Sequence, residues 1–216
     1  MNRIDDIRVT ALKLFIKKGY GTTSIRDIAA EVGINSATLY HYFPSKYDIL
    51  IDIVASSWNN LFEEIAARLS IPHQNWTHRL HTFVDFHVEH HCNYVERVQI
   101  TSEAIRHFHP NARSFFGDRR DQYERILVDI IEEGTAAGEF QVTDAKIVSF
   151  AILQMLTGIA NWYKPVGRLT PRQIGDLYWE LVCGMVHARD EQTRSLQQRS
   201  QRLKRSVKRS PKHAVS

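Results

Sequence analysis

The stretch TLYHYFPSK at residues 38–46 places several hydrogen-bonding side chains next to one another. Consecutive residues of a helix point about 100° apart, so the rings of Tyr40, His41 and Tyr42 cannot all face one buried side. Hydroxyl and imidazole groups bind phosphates or base acceptors, and the methyl group of Thr38 can contact that of thymine. The residue types therefore predict a contact with nucleic acid, although the spacing alone also fits tyrosines half-buried in a core.

A second group of potential ligands is formed by histidines, eight of which lie between residues 73 and 109. His87, His90 and His91 have the i, i+3, i+4 spacing that places side chains on one helix face, and with Glu89 or Cys92 they could hold zinc or nickel. No H-E-x-x-H motif is present, so a polar helix end explains the pattern more simply. A metal-responsive regulator or metal-binding protein is kept as the alternative function, and no metal ligand is assigned.

The composition indicates a globular protein without catalytic signatures. Of the 216 residues, 43% are hydrophobic and 24% charged, which is ordinary for such proteins. No glycine-rich phosphate loop, serine elbow or paired-carboxylate pattern stands out, so neither an enzyme nor a bound cofactor is expected. Cys92 and Cys183 form no C-x-x-C pair, the N-terminus is no signal peptide, and no apolar run reaches the ~18 residues of a membrane span. We expect a cytoplasmic protein without a membrane contact.

Apolar residues recur at helical spacing along most of the chain, and there is no convincing strand or internal repeat. The pattern predicts an all-α fold of about nine helices. Three short helices within residues 4–43 precede six longer ones, at about 46–70, 76–93, 95–108, 112–137, 145–163 and 171–188.

The second and third predicted helices have the features of a DNA-binding helix pair. Ser24 and Asp27 form a capping-box pattern, Gly33 ends the helix they begin, and the next helix ends before a proline. Two short helices with a glycine turn inside a three-helix unit describe a helix-turn-helix, whose second helix enters the major groove. Lys46 follows at the N-terminus of the next helix, where backbone N–H groups attract an anion, and Arg26 is a further phosphate or base candidate.

The charge is unevenly distributed, with net values of +2 for residues 1–50, −5 for residues 51–188 and +7 for residues 189–216. The acidic middle would repel a polyanion, so a nucleic-acid contact is expected at one end only. We therefore predict a helix-turn-helix domain at 1–46 (the motif itself at about 24–43), a ligand-binding and dimerisation domain at 47–188, and a basic tail without fixed structure at 189–216.

The segment TTSIRDIAAEVGINSATLYHYFPSKYDIL resembles the N-terminal DNA-binding motif of TetR-family transcriptional regulators, and the preceding ALKLFIKKGY matches the first helix of that family. The resemblance covers about residues 5–52. It implies a homodimeric repressor that binds a palindromic double-stranded operator and is released by a small-molecule effector. The residues that it implies as DNA contacts are Ser36, Thr38, Tyr40, His41, Tyr42 and Lys46.

A second resemblance concerns NWYKPVGRLTPRQIGDLYWELVCG, which is similar to the C-terminal part of TetR-family repressors of acyl-CoA, fatty-acid or steroid breakdown. It implies that a coenzyme A thioester or another small hydrophobic effector releases the DNA. The aromatic and apolar residues of the middle helices suit an acyl chain, and its arginines could meet phosphates or merely pair with nearby carboxylates. The candidate effector residues are Phe62, Phe83, Arg106, Met155 and Trp162.

The last two long helices are candidates for self-association. The helix at 145–163 is apolar on too many sides for a surface helix, and together with the helix at 171–188 it could form a four-helix interface between two subunits. A plain buried core remains the alternative. The candidate dimer residues are Ile152, Ile159, Leu177 and Leu181.

Overall fold

The computed structural model describes residues 3–71 and 75–187, so the predicted basic tail at 189–216 lies outside the described residues. Within these ranges the chain is all-α and contains no strand. The helices are α1 (Arg3–Lys18), α2 (Ile25–Val32), α3 (Ser36–Tyr42), α4 (Lys46–Leu69), α5 (Trp76–Asn93), α6 (Val95–Ala104), α7 (Pro110–Ala136), α8 (Ala145–Thr157), α9 (Ile159–Trp162) and α10 (Pro171–Val186), with a 3-10 turn at Ile105–His107.

All nine predicted helices are present, but two differ in detail from the prediction. The helix expected at 95–108 ends at Ala104 and continues as the 3-10 turn. The helix expected at 145–163 is divided at Gly158 into α8 and α9. A glycine costs an α-helix about 1 kcal/mol relative to alanine, which makes this position the weakest in the segment.

The described residues divide into two compact units. The first contains residues 3–64 and 94–120, and the second contains residues 65–71, 75–93 and 121–187. The first unit is therefore discontinuous in sequence. The functional boundaries predicted at residues 46 and 188 stay a prediction, since a compact unit need not coincide with a functional domain.

The core of the first unit is built around the three short helices. Phe15, Ile28 and Leu39, one from each of α1, α2 and α3, are at most 2% exposed. The same cluster includes residues from far along the chain, namely Ile100, Ala104, Phe108 and Phe116. Burial of large apolar side chains is the main source of stability in such a core, so the segment at 94–120 stabilises the short helices directly.

The core of the second unit centres on α5 and α10. These helices run antiparallel, since the His81 ring lies 4.7 Å from that of Trp179 and Asp85 lies next to Gly175. The start of α5 is capped by the carboxylate of Glu139, which accepts hydrogen bonds from the backbone N–H groups of Trp76 and Thr77 at 3.1 and 2.8 Å.

The segment Ala145–Trp162 has the length and composition of a membrane span. In the second unit, however, it packs against α5, and α8 also packs against α10. The segment corrects the expectation that no apolar run reaches the length of a membrane span. Its buried residues are Ser149, Ile152, Leu156, Ile159 and Ala160. They recur at helical spacing along one face, as in a helix that packs against other helices on one side.

Candidate nucleic-acid interface

The capping groups fix both ends of α2. The N–H of Asp27 donates to Ser24 Oγ at 3.1 Å, and the N–H of Ser24 donates to Asp27 Oδ2 at 2.8 Å, which completes the capping box. Lys18 Nζ also donates to Asp27 Oδ1 at 3.1 Å. The bonds to Ser24, followed by the bond to Lys18, lower the pKa of Asp27 to about 2. The carboxylate is therefore ionised throughout the physiological range, as the positive end of a helix dipole favours.

The turn between α2 and α3 requires a glycine. Gly33 has φ 75°, in the left-handed region, and its N–H bonds to the carbonyls of Ala29 and Ala30. Such a C-cap is strained for residues with a Cβ. Two residues later, the side chain of Asn35 accepts a hydrogen bond from the N–H of Thr38 at 2.7 Å and begins α3. The glycine turn and the asparagine cap together set the direction in which α3 leaves α2.

The side chains of α3 are divided between a buried face and an exposed face. Leu39 is fully buried and Phe43 is 7% exposed. Tyr40 and Tyr42 are 52% and 39% exposed, and His41 is exposed beside Tyr42, with a 6.0 Å distance between the ring centroids. The three rings therefore face solvent in the chain alone, where a duplex can reach them.

The remaining predicted DNA contacts differ in accessibility. Ser36 and Thr38 are half-buried in the first turn of α3, and Arg26 is exposed on α2. The structure also exposes Ala37 in that first turn, which the sequence analysis omitted. Its helical position next to Thr38 was the available signal, because an alanine methyl group can contact a thymine methyl group.

Lys46 is placed differently from the prediction of a free phosphate contact. Its Nζ donates to the carbonyl oxygens of Tyr20 and Thr23 at 2.6 and 2.7 Å and lies 4.4 Å from the centroid of the Tyr20 ring. Burial lowers the pKa of this ammonium group. In this structure Lys46 ties the start of α4 to the turn between α1 and α2, so any DNA contact would have to share the same ammonium group.

The segment between α6 and α7 packs against residues next to the helix-turn-helix. The ring of His107 lies 4.7 Å from that of Tyr20, and the ring of His109 lies 4.5 Å from that of Tyr47. The backbone N–H of His109 also donates to the hydroxyl of Tyr47 at 3.0 Å. These contacts fall within the first unit, so the orientation of its helices depends on residues beyond position 100.

The five candidate effector residues are divided between the two units. Phe62 is half-buried and Arg106 exposed in the first unit, whereas Phe83 is fully buried, Met155 half-buried and Trp162 49% exposed in the second. The buried Phe83 has polar neighbours, since its ring lies 5.3 Å from that of Tyr123 and 6.0 Å from that of His87.

The histidines of α5 form a buried hydrogen-bonded group. The Nδ1 of His87 lies 3.0 Å from the hydroxyl of Tyr123, and Nδ1 of His91 lies 2.9 Å from the carbonyl oxygen of His87. Burial, reinforced by the neighbouring imidazoles, lowers the pKa of His91 to about 4 and that of His87 well below its usual value. No group of three metal-ligating side chains occurs among residues 3–71 and 75–187, so the metal alternative is unsupported.

The four candidate dimer residues also have different environments. Ile152 and Ile159 are fully buried within their own unit, so their side chains leave no surface for a partner. Leu177 is half-buried and Leu181 is 53% exposed. Ile147 and Phe150 on α8 are exposed as well, although neither is among the four candidate dimer residues. Sequence periodicity could not say which face of these helices the chain itself covers, and the dimer contact stays a prediction.

The capped short helices, the glycine turn and the exposed hydrogen-bonding residues of α3 define a helix-turn-helix DNA-binding protein. Comparison with known proteins gives the family. Residues 7–53 match the description "Bacterial regulatory proteins, tetR family", and residues 73–186 match "Tetracyclin repressor-like, C-terminal domain". The chain therefore belongs to the TetR family, whose members are ligand-responsive transcriptional regulators.

Individual relatives agree with this assignment. The chain is 29% identical over 189 residues to the HTH-type transcriptional repressor KstR2 of Mycolicibacterium smegmatis, covering 86% of this chain and 91% of that protein. The structure of the ketosteroid transcriptional regulator KstR2 of Mycobacterium tuberculosis has a TM-score of 0.78 at 26% identity, covering 88% of this chain and 96% of that one. AibR, solved with isovaleryl coenzyme A and operator DNA, has a TM-score of 0.77 at 25% identity, covering 87% and 100%.

Proposed function

We propose that this TetR-family repressor is a cytoplasmic homodimer that binds a palindromic operator and is released by a small hydrophobic or CoA-type effector. The exposed face of α3 carries the proposal, because Tyr40, His41 and Tyr42 place two hydroxyls and an imidazole on a helix whose opposite side is buried. Such groups reach base edges and phosphates when a recognition helix lies in the major groove. The proposed functional domains are 1–46 for DNA and 47–188 for effector and dimer contacts.

The proposed dimer contact lies on α8 and α10 of the second unit. Ile147 is 63% exposed, Phe150 is 42% exposed and Leu181 is 53% exposed. A continuous patch of exposed large apolar side chains marks an interaction site, and we propose that these three residues belong to one such patch. A two-fold dimer would pair this surface with itself and would present two copies of α3 to two operator half-sites.

The proposed effector class rests on the relatives. AibR was solved with isovaleryl coenzyme A, and KstR2 is described as a ketosteroid regulator. The fully buried Phe83 and the half-buried Met155 supply apolar surface in the second unit, and His87 and Tyr123 supply hydrogen-bonding groups beside Phe83. An effector that binds the operator-free state more tightly shifts the population towards that state, and operator DNA must then weaken effector binding by the same factor.

Fluorescence anisotropy on the DNA upstream of the protein's own gene tests the proposal. We expect salt-sensitive, sequence-specific binding that a CoA thioester reverses. Replacing Tyr40, His41 or Tyr42 singly by Ala should weaken the specific complex by about 1–3 kcal/mol if the side chain reaches a base, and should weaken specific and random DNA alike if it contacts only the backbone.

The control for these substitutions is Tyr94→Ala, since Tyr94 is an exposed tyrosine of the same unit outside the helix-turn-helix. Its operator affinity should match that of the wild-type protein. Equal affinity of the wild-type protein for operator and random DNA at every salt concentration would contradict the proposal.

A further inference from the structure

One arginine of the first unit lies between aromatic rings on α4 and α7. The guanidinium carbon of Arg119 is 5.6 Å from the centroid of the Phe62 ring and 5.4 Å from that of Phe115. The Trp58 ring lies 6.0 Å from Phe62 and extends the row of rings along α4. We call these four residues, Trp58, Phe62, Phe115 and Arg119, the arginine–aromatic cluster. All four belong to the first unit.

Arg119 forms no ion pair with a carboxylate among the residues that the structure describes. Arg8 and Arg68 pair with the carboxylates of Asp52 and Glu89, whereas no described carboxylate forms an ion pair with Arg119. A guanidinium group stacks well on rings because it is planar and weakly hydrated, and stacking leaves the N–H donors at its edge free for an anion. A half-buried arginine with aromatic neighbours and no carboxylate is suited to an anionic ligand that also has a flat ring.

The position of the cluster argues against operator DNA as that ligand. Phe62 is sixteen residues beyond Lys46, which corresponds to about 24 Å along α4 from the end of α3. The bases of a duplex are also stacked and paired, so that their faces cannot stack on protein rings. A free nucleotide offers both an accessible purine face and phosphate groups.

We propose that the arginine–aromatic cluster binds the nucleotide portion of a CoA thioester, with Arg119 contacting a phosphate and the exposed ring of Phe115 stacking on the adenine. Phe115 is 48% exposed, which leaves ring surface for a ligand. The inference rests on the proposed function, because it assigns one part of the proposed effector to named residues. Base–aromatic stacking and charge-assisted bonds to phosphate are the two interactions that such a ligand needs.

Calorimetry with the full-length protein tests this assignment, using coenzyme A and adenosine 3′,5′-bisphosphate as probes. Both should bind the wild-type protein, and Arg119→Gln should weaken both by about tenfold or more, as expected when one charged hydrogen-bond partner is lost. Arg119→Lys keeps the charge but loses the planar guanidinium group, so its affinity for each probe should lie between those of the wild-type protein and Arg119→Gln. Phe115→Leu should weaken the bisphosphate by severalfold through lost stacking.

The matched control is Arg97→Gln. Arg97 is a half-buried arginine of the same unit whose guanidinium carbon lies 5.3 Å from the centroid of a single ring, that of Tyr94. This variant should bind both probes like the wild-type protein. An acyl-pantetheine, which lacks the nucleotide, should bind the wild-type protein and Arg119→Gln equally. Far-UV circular dichroism and thermal melts of each variant confirm that the variant is folded.

Three results would overturn the assignment, and they separate it from the proposed function. If Arg119→Gln binds coenzyme A as tightly as the wild-type protein does, the cluster is only a structural cation–π contact. If the wild-type protein binds neither probe while a free acyl or steroid acid releases the operator, the nucleotide site is wrong and effector control stands. If no probe binds and no compound of either kind releases the operator, the assignment and the proposed effector class both fail.

Discussion

At the scale of single residues, Lys46 has a structural role in addition to the DNA contact that its motif predicts. Its position after the helix-turn-helix predicts a phosphate contact, but its ammonium group donates to the carbonyls of Tyr20 and Thr23. Those acceptors lie more than twenty residues earlier in the sequence. Only the fold brings them to Lys46, so residue type and spacing could not reveal the contact.

We expect Lys46→Met to lower the free energy of unfolding by about 1–2 kcal/mol, because two carbonyls lose a charged donor and the cation–π contact with Tyr20 is lost. Urea unfolding followed by circular dichroism measures the change. Lys13→Met is the control, since Lys13 is exposed on α1 of the same unit. Equal losses in the two variants would mean that the carbonyl contacts contribute nothing.

At the scale of elements, α7 contains two glycines in contrasting surroundings. A Cβ added at Gly134 would lie 2.2 Å from Cε2 of Phe140, whereas one added at Gly117 would meet nothing within 4 Å. The N–H groups of Glu139 and Phe140 both donate to the carbonyl of Gly134. The chain therefore turns back closely over Gly134, and the ring of Phe140 fills the space that a side chain would occupy.

Gly134→Ala should accordingly destabilise the protein by about 1–3 kcal/mol through overpacking, despite the higher helix propensity of alanine. Gly117→Ala, in the same helix, should stabilise it by about 0.5–1 kcal/mol. Thermal unfolding of the two variants gives the comparison. Combining Gly134→Ala with Phe140→Leu should restore part of the loss, and the absence of any recovery would locate the strain elsewhere.

Much of the element-level structure could be predicted from the sequence, because capping residues and helical periodicity act locally. Ser24, Gly33 and Asn35 satisfy backbone groups within a few residues of themselves, so the helix-turn-helix and the buried Leu39 were predictable. The burial of Ile152 was not, because it depends on packing against helices distant in sequence. For the same reason the surroundings of the candidate effector and dimer residues could not be predicted from the sequence.

At the scale of the whole molecule, the exposed apolar residues of α8 and α10 should determine the oligomeric state. Ile147→Glu combined with Leu181→Glu should convert the proposed dimer to a monomer, because each subunit would bring two charges without partners into the interface. Sedimentation velocity measures the mass. Val166→Glu is the control, since Val166 is 97% exposed. A double variant that stays dimeric would place the interface on another surface.

The buried histidines of α5 should make the stability of the protein sensitive to acid. The pKa of His91 falls from 6.5 to about 4 on folding, mainly through burial. The unfolded chain therefore binds more protons between these values, so this contribution is present above pH 6.5 and is lost as the pH falls towards 4.

Between pH 6.5 and pH 4, we expect the free energy of unfolding of His91→Gln to fall less than that of the wild-type protein. The difference should be up to about 3 kcal/mol. Urea unfolding at several pH values measures the slope, and comparison of slopes cancels any loss of packing that is independent of pH. Parallel curves for His91→Gln and the wild-type protein would contradict this origin of the acid sensitivity.

The discontinuous core of the first unit has a consequence for synthesis in the cell. Domains generally fold as units while the ribosome extends the chain from the N-terminus. The short helices are made first, but Ile100, Phe108 and Phe116, which complete their core, are translated much later. The apolar surface of the three short helices therefore stays exposed on the nascent chain until more than half of the protein has been translated. A graft of residues 1–64 onto another protein would leave that surface permanently uncovered.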